Sequence, residues 1–167
     1  FLKIILILKI LKKKYSNSKA KIITSCAMFY DIAEPKKFVA DVDKILHQDG
    51  IWCVQISYLA SMINFNNFYD ICHEHLSYFS IDSFKAVLDG FNLKLFFAET
   101  NAVNGGSIRL FVCRKDVNIY DKEEFSSSLG KLIDEEQSYN LKDVKTYKDF
   151  QNKIDNIKKK TNLFVDN

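Results

Sequence analysis

The hydrophobic and polar positions of residues 20 to 116 alternate between strand-like and helix-like patterns. KIITSC and IWCVQIS are short apolar runs typical of strands, and we expect the first strand to be buried on both faces. Between them, apolar residues recur at helical spacing in a segment that begins at Pro35. Gly50 is expected to end this helix, so that the second strand follows at once.

A segment without a regular period comes next. Residues 58 to 80 are rich in Asn, Tyr and Phe, and a connection of this length in a compact domain is typical of a functional loop. Ser80 is a good N-cap for the helix that follows, which carries Phe84 and Leu88 on one face. The aromatic residues of the loop are candidates for a sugar pocket or for the core, and they are Tyr58, Phe65, Phe68, Tyr69, Tyr78 and Phe79.

The end of the pattern predicts a hairpin and then helices. LKLFFAET and SIRLFVCR are two strand-like runs joined by a turn at Asn104, Gly105 and Gly106. From about residue 120 onward the apolar spacing is helical. The order of elements predicts an α/β fold, an open sheet whose terminal hairpin gives an antiparallel edge strand, followed by C-terminal helices.

The 167 residues divide into three segments around one expected core. Residues 1 to 19 begin FLKIILILKILKKK, which predicts an amphipathic or buried helix, with a membrane-associated segment or a truncation artefact as the alternatives. This apolar stretch is shorter than the roughly 20 residues that span a bilayer. Residues 20 to 116 form the α/β core, and residues 117 to 167 form a helical extension.

Charge and cysteine content narrow the function classes. The net charge of +3 is spread along the chain, with lysine runs only at residues 12 to 14 and 158 to 160, so nucleic acid is not an expected partner. The cysteines are Cys26, Cys53, Cys72 and Cys113. Without a C-x-x-C pair they argue against a zinc ribbon or a disulfide framework, and they fit the reduced thiols of a cytoplasmic protein.

The candidate chemistry lies at the end of the long loop, in the triplet His73, Glu74 and His75. It has three interpretations: polar loop residues, a metal site built on H-x-H, or a general base oriented by a carboxylate. A metal would need further ligands, and the chain offers only His47 and no suitably spaced cysteine. In an extended segment His73 and His75 would share one face, with Glu74 on the other. The residue pattern leaves all three interpretations open.

Three separated motifs carry a family resemblance. NFYDICHEHLSYFS, then a helix, then NAVNGGSIRLFVCR is similar to the signature of S-adenosylmethionine-dependent C-methyltransferases that act on nucleotide-diphosphate 4-keto sugars. The run from ITSCAMFYD to IWCVQISYL resembles the fourth and fifth strands of that family. The resemblance implies part of a class I, Rossmann-like methyltransferase sheet, S-adenosylmethionine as cofactor, a nucleotide-sugar substrate, and no membrane partner.

The resemblance also implies roles for individual residues. His75 would be the base that removes a proton beside the keto group, Glu74 would assist it, and His73 would stabilise the enolate or pack beside the base. Many relatives have a tyrosine directly before H-E-H, whereas this chain has Cys72. Cys26, Ala27 and Met28 would border the methionine part of the cofactor. Substrate contacts would come from Tyr78, Asn104, Ser107 and Arg109, although the glycine turn could equally be structural.

Parts of the family pattern are missing from the sequence. The glycine-rich cofactor turn, the acidic residue that holds the ribose, the cysteine-rich zinc module and the following α/β domain are not found. We therefore expect a fragment of an enzyme that by itself neither binds the cofactor tightly nor turns over, with an open sheet edge that FLKIILIL would partly cover. The alternatives are a non-catalytic remnant or partner subunit, and an H-x-H metal-binding module.

Overall fold

A computed structural model describes residues 19 to 166, so the helix predicted for residues 1 to 19 lies outside the described residues except for Lys19. The strands are β1 (Ala20–Cys26), β2 (Leu46–Ser57), β3 (Leu93–Asn101) and β4 (Ser107–Arg114). The helices are α1 (Pro35–Ile45), α2 (Leu59–Phe65), α3 (Ile81–Leu88), α4 (Glu123–Ser138) and α5 (Val144–Val165). Short 3-10 turns span Phe29–Asp31, Phe68–Asp70 and Val103–Gly105.

The sheet confirms the predicted α/β class with a terminal hairpin and C-terminal helices. Its strand order is β1-β2-β4-β3, with β1 and β2 parallel and β4 antiparallel to both of its neighbours. The prediction of an antiparallel edge strand is wrong. Strand β4 lies inside the sheet between β2 and β3, and β3 at the edge therefore runs in the same direction as β1 and β2. The buried residues of β4 explain this central position.

One face of the sheet forms the core with α1 and α3. Trp52, Val54 and Ile56 alternate along β2 and are fully buried, because the pleat turns every second side chain to this face. The ring of Phe29, just after β1, lies 5.6 Å from Trp52 and 5.6 Å from Phe84 of α3. These contacts fix the chain segment that leaves the carboxyl end of β1.

Strand β1 is more exposed than its apolar sequence predicts. Ile22 is 73% exposed, whereas Ser25 is buried and accepts a hydrogen bond from Trp52 Nε1 at 3.0 Å. The expectation of burial on both faces is wrong, because β1 is the edge of the described sheet and no described helix covers its outer face. This open face and edge are the ones that the sequence predicts for a four-strand remnant.

Gly50 does not end the first helix. The helix ends at Ile45, and Leu46 is already the first residue of β2. Gly50 lies within β2, where the pairing with β1 shifts register, and a Cβ there would lie 2.8 Å from the carbonyl oxygen of Ala20. Glycine is therefore required for the close approach of the two strands.

Arg114, at the end of β4, donates hydrogen bonds to carbonyl groups at the C-terminal end of α1. Its Nη1 lies 2.7 Å from the Asp43 carboxylate, and its Nη2 donates to the carbonyl oxygens of Asp43 at 2.6 Å and Leu46 at 2.8 Å. A cation at this position pairs with the carbonyl groups that a helix end leaves without partners.

The segment 58 to 80 is less irregular than the sequence indicates. It contains α2, which Asn66 caps in the left-handed conformation (φ 55°), and the 3-10 turn at Phe68–Asp70, so the longest stretch without helical structure is residues 71 to 80. The predicted cap of α3 is confirmed, because Ser80 and Ser83 form a reciprocal capping box. Helix α4 packs along β3 through Phe125, whose ring lies 5.1 Å from Phe97. No described helix is both long and apolar enough to cross a membrane.

Candidate active site at the carboxyl end of the sheet

The fold brings all the predicted site residues to one edge of the sheet. Strands β1 and β2 end there at Cys26 and Ser57, and the β3–β4 turn lies at the same edge. Ligands of open α/β sheets bind beyond the carboxyl ends of the strands. The predicted residues at this edge are Cys26, Ala27, Met28, His73, Glu74, His75, Tyr78, Asn104, Ser107 and Arg109.

The H-E-H triplet forms a tight turn. The backbone N–H of His75 donates to the carbonyl oxygen of Cys72 at 3.3 Å, so the extended arrangement considered for the triplet is wrong. The turn points His73 and Glu74 outward, with side chains 92% and 60% exposed. Nε2 of His73 lies 3.2 Å from the Glu74 carboxylate, so Glu74 contacts His73 and not His75.

The electrostatics of Glu74 agree with its place on the outside of the turn. Its own backbone N–H and the Cys72 side chain hold its pKa below the usual value, and His73 and His75 act in the same direction. Hydrogen bonds to the charged form of a carboxyl group favour that form. Glu74 is therefore an ionised surface carboxylate at neutral pH.

His75 occupies the inner side of the same turn. Its ring centroid lies 4.2 Å from the ring of Tyr30 and 6.3 Å from the ring of Tyr78. Its Nδ1 is buried and has no hydrogen-bond partner. The backbone N–H groups of Leu76 and Ser77 both donate to the carbonyl oxygen of Tyr30, at 2.9 and 3.0 Å. These two bonds hold the triplet against the segment that follows β1.

Asp70 and Tyr30 belong to this site, although neither was predicted from the sequence. Asp70 is only 6% exposed, its carbonyl oxygen accepts a hydrogen bond from the Tyr78 hydroxyl at 3.4 Å, and its Oδ2 has no partner. Burial raises the pKa of Tyr30, and the negative charges of Asp31 and Asp70 raise it further. No local signal in the sequence indicated Asp70, because the same tetrapeptide FYDI at residues 29 to 32 leaves Asp31 exposed.

The cofactor-side candidates lie next to His75 through the chain that joins them. Ala27 has φ 51°, and its N–H donates to the carbonyl oxygen of Gln55 at 3.0 Å, which extends the pairing of β1 and β2 by one residue. Cys26 is exposed and Met28 half-buried. The 3-10 turn that contains Tyr30 begins directly after Met28. The end of β1 and the candidate base are therefore neighbours.

The glycine turn packs against the loop that leads to the triplet. Gly105 has φ 75°, and a Cβ there would lie 1.8 Å from the Tyr69 hydroxyl. The side-chain amide of Asn67 donates to the Gly105 carbonyl oxygen at 2.5 Å. Glycine is required here both by its backbone conformation and by the approach of Tyr69. The structural interpretation of this turn has direct support from these contacts.

Asn104 and Ser107 differ in what they can reach. Asn104 is exposed and adopts the left-handed conformation with φ 51°, so its side chain is accessible at the tip of the turn. Ser107 is buried, and its hydroxyl donates to the carbonyl oxygen of Val103 at 2.8 Å. This bond closes the turn from inside.

Arg109 lies in a polar row that crosses the sheet. Its Nη1 is 2.6 Å from the Glu99 carboxylate, and its Nη2 donates to Gln55 Oε1 at 2.9 Å. The pairing register places Gln55 opposite Cys26 of β1. Arg109, Gln55 and Cys26 therefore lie opposite one another on neighbouring strands. The guanidinium group of Arg109 is already paired with Glu99 and Gln55.

A cavity of about 420 Å³ separates α2, the glycine turn and α4. Its lining includes Tyr58, Asn64, Phe65, Asn101, Gly106 and Glu135. The amide nitrogen of Asn101 is buried there without a partner. Tyr58 and Phe79 are core residues, whereas Phe65, Phe68 and Tyr69 are exposed around this part of the loop. Aromatic faces with a few polar groups are typical of small-molecule sites.

The remaining interpretation of the triplet concerns metals. Within residues 19 to 166, no group of three or more histidine, cysteine, aspartate or glutamate residues is placed to hold a metal ion. A stable site needs more ligands than the two histidines of H-x-H.

Comparisons with known proteins show which proteins this chain resembles. Residues 102 to 167 match the family model of the C-methyltransferase C-terminal domain. The chain is therefore related to the C-methyltransferases, and the resemblance predicted from its motifs is confirmed. One relative is the C-methyltransferase NovU of Streptomyces niveus, which is 27% identical over 131 residues. That match covers 78% of this chain and 30% of the relative, so the chain spans under a third of the relative's length.

A solved structure with a partly similar backbone is the crystal structure of M1.HpyAVI. The two chains are 12% identical, with a TM-score of 0.42, and the match covers 68% of this chain and 52% of that one.

Proposed function

We propose that this chain is the proton-abstracting part of a C-methyltransferase that acts beside the keto group of a nucleotide-linked sugar. The observation that carries the proposal is the position of His75. It lies between two phenols at the carboxyl end of the sheet and next to the segment that follows β1. The relation to C-methyltransferases supports the reaction class.

His75 would act through Nε2. Its Nδ1 is enclosed by protein, which leaves Nε2 as the ring nitrogen available to a substrate. An imidazole is the side chain best suited to exchange a proton near neutral pH. The C–H proton beside the keto group moves to Nε2, the C–H electrons form the enolate, and the enolate carbon forms the new C–C bond. S-adenosylmethionine, when bound, supplies the methyl group and retains the electrons of its S–CH₃ bond.

The rings of Tyr30 and Tyr78 neighbour the ring of the base. Burial raises the pKa of both groups, so both remain protonated at neutral pH. Tyr30 could donate to an enolate oxygen, whereas Tyr78 would first have to release the Asp70 carbonyl oxygen. These phenols lie beside a triplet that Cys72 precedes, whereas many relatives have a tyrosine at that position. His73 is directed to solvent and pairs with Glu74, which makes it a weaker candidate for the same role.

The described residues would form one wall of the cofactor site. The segment Cys26, Ala27 and Met28 lies at the carboxyl edge of the sheet, just before Tyr30. The chain bends at Ala27, which has a positive φ. The exposed aromatic residues and the cavity beside Asn101 supply apolar faces and amide groups suited to a sugar. The remaining cofactor contacts would come from polypeptide beyond these residues, and we expect the isolated chain not to complete methyl transfer.

A non-catalytic remnant is the second candidate. The exposure of Ile22 on β1 favours it, since no element among residues 19 to 166 covers this apolar side chain. The two candidates differ in one measurable property. Proton abstraction needs only the base and the keto sugar, whereas a remnant has no reason to retain it.

Deuterium exchange tests the proposal without a methyl donor. The chain is incubated in D₂O with a nucleotide-diphosphate 4-keto sugar, and NMR follows deuterium incorporation at the carbon next to the keto group. We expect exchange above the buffer rate, reduced about 10²- to 10⁴-fold in His75→Ala. His47→Ala is the control, because His47 pairs with Asp49 away from this edge. Equal exchange in wild type and His75→Ala would remove His75 from the mechanism, and no exchange in wild type would favour the remnant.

A further inference from the structure

The inner nitrogen of the candidate base has an unsatisfied hydrogen-bonding position. If Nε2 accepts a proton, Nδ1 of the neutral imidazole carries the hydrogen. That N–H is buried and has no acceptor within hydrogen-bond distance. A buried donor without a partner is unfavourable, so a group that could accept this hydrogen would stabilise the reactive form of the ring.

A buried carboxylate that could accept this hydrogen lies in the same part of the site. Among residues 19 to 166, the buried side-chain atoms without partners include only one carboxylate oxygen, Oδ2 of Asp70. Asp70 is 6% exposed, and it stands at the end of the 3-10 turn that leads into the triplet. Burying a charged oxygen without a hydrogen bond is costly, and such groups are concentrated at functional sites.

The two unsatisfied atoms share the same neighbours. Tyr30 contacts the ring of His75, and its hydroxyl lies within the electrostatic influence of Asp70. Tyr78 also faces the ring of His75, and its hydroxyl donates to the Asp70 carbonyl oxygen. Asp70 and His75 therefore lie around the same two phenols, and a side-chain rotation or one bridging water molecule would be needed to join Oδ2 to Nδ1.

Glu74, the carboxylate expected to assist the base, is less suited to this task. It lies outside the turn and is engaged with His73 at 3.2 Å.

We propose that Asp70 is the positioning residue of His75, its Oδ2 accepting the hydrogen of Nδ1 and thereby leaving Nε2 free to take a proton. This inference rests on the proposed function for the meaning of the pair, but the pair itself can be measured independently. A carboxylate in this position selects one imidazole tautomer and fixes the orientation of the ring.

The ring's other charged and titratable neighbours must be held constant in any test. The turn itself contributes Cys72, His73 and Glu74, the segment after β1 contributes Tyr30 and Asp31, and Tyr78 lies after the triplet. A comparison of Asp70 with Glu74 satisfies this condition, since each variant changes one carboxylate and leaves the others in place.

The test is long-range ¹H–¹⁵N NMR of the ¹⁵N-labelled chain, which distinguishes the two tautomers of a neutral histidine. We expect His75 in the wild type to carry its hydrogen on Nδ1. In Asp70→Ala the population should shift toward the Nε2–H form, whereas Glu74→Gln should leave it unchanged. Asp70→Asn, which keeps nearly the same shape, should also shift the population toward the Nε2–H form, because the amide can turn its NH₂ group toward an Nδ1 without hydrogen.

Three results would overturn the inference: an Nε2–H tautomer in the wild type, an unchanged tautomer in Asp70→Ala, or a shift caused by Glu74→Gln. If Asp70→Ala fails to fold, the tautomer of His75 in Asp70→Asn, compared with that in Glu74→Gln, decides alone. The readout requires neither sugar nor methyl donor. The predicted tautomer shift together with unaltered deuterium exchange in His75→Ala would retain the pair and reject the proposed function.

Discussion

Two buried carboxylates, Glu136 and Asp70, have the same exposure of 6% and opposite surroundings. Glu136 accepts hydrogen bonds from the Tyr58 hydroxyl at 2.9 Å and from the backbone N–H groups of Ile81 at 2.6 Å and Asp82 at 3.2 Å. One oxygen of Asp70 has no partner. Because a buried charge is stabilised when it is hydrogen-bonded, the contacts of Glu136 indicate a structural role, whereas those of Asp70 leave one buried oxygen without such stabilisation.

The structural role of Glu136 follows from what it joins. It stands on α4, and its carboxylate meets the amino end of α3, where two backbone N–H groups of the first turn lack helical partners. A negative charge at this end of a helix is also favourable electrostatically. The C-terminal helices are thereby attached to the core beside the loop that carries the candidate base.

Removal of the Glu136 carboxylate should have the largest effect on stability. Glu136→Ala leaves the Tyr58 hydroxyl and two buried amides without an acceptor, and we expect the free energy of unfolding to fall by about 3 kcal/mol. Urea denaturation of the chain measures this loss. Glu135→Ala is the matched control, because Glu135 is exposed and bonds only to Tyr139, and it should cost less than about 1 kcal/mol. Similar losses in the two variants would contradict the structural role of Glu136.

Tyr58→Phe should have an intermediate effect. It removes one hydrogen bond to a charged acceptor, and we expect a loss of about 1.5 kcal/mol at pH 7. Burial and then the charge of Glu136 raise the pKa of Tyr58 above its ordinary value of 10.0. Above pH 10 the unfolded phenol ionises while the folded one stays protonated, so the stability from Tyr58 is complete below pH 10 and is lost as pH rises.

The pH dependence gives Tyr58→Phe a second readout. Other tyrosines of the chain ionise in the same range, so the difference between wild type and Tyr58→Phe isolates the contribution of Tyr58. The stability difference measured by urea denaturation at pH 7 should shrink between pH 10 and 11. A constant difference would show that Tyr58 is not shielded by burial and Glu136.

The features predicted correctly from the sequence depend on short-range physics. The cap at Ser80 and the turn before Ser107 follow from local hydrogen bonding and backbone preferences, and both lie where predicted. The insertion of β4 between β2 and β3 depends on contacts between distant segments. The spacing of apolar residues along the chain gives no information about such contacts. Gly50 was misplaced for the same reason, because its role is the approach of another strand.

The candidate site shows the same division. The triplet was conspicuous because its titratable residues are adjacent in sequence. The turn that begins at Cys72 separates His75 from His73 and Glu74. The side-chain alternation of an extended strand does not predict this turn. The partners of His75 come from elsewhere. Tyr30 follows another strand, and the burial of Asp70 depends on the packing of the whole loop. Sequence motifs indicated the resemblance to C-methyltransferases and the candidate base, whereas the neighbours of that residue required the fold.

The smallest predicted change tests the comparison most directly, because it applies the same chemical substitution to both carboxylates. Glu136→Gln should lower the free energy of unfolding by about 2 kcal/mol, since an amide can face N–H donors with only one oxygen and loses the charge-assisted bonds. Asp70→Asn should leave it unchanged or raise it by up to about 1 kcal/mol, because it removes an incompletely hydrogen-bonded charge from the interior. Denaturation of the two variants side by side measures the contrast. Equal losses would mean that Asp70 is as structural as Glu136, and its unpartnered oxygen would no longer indicate a functional site.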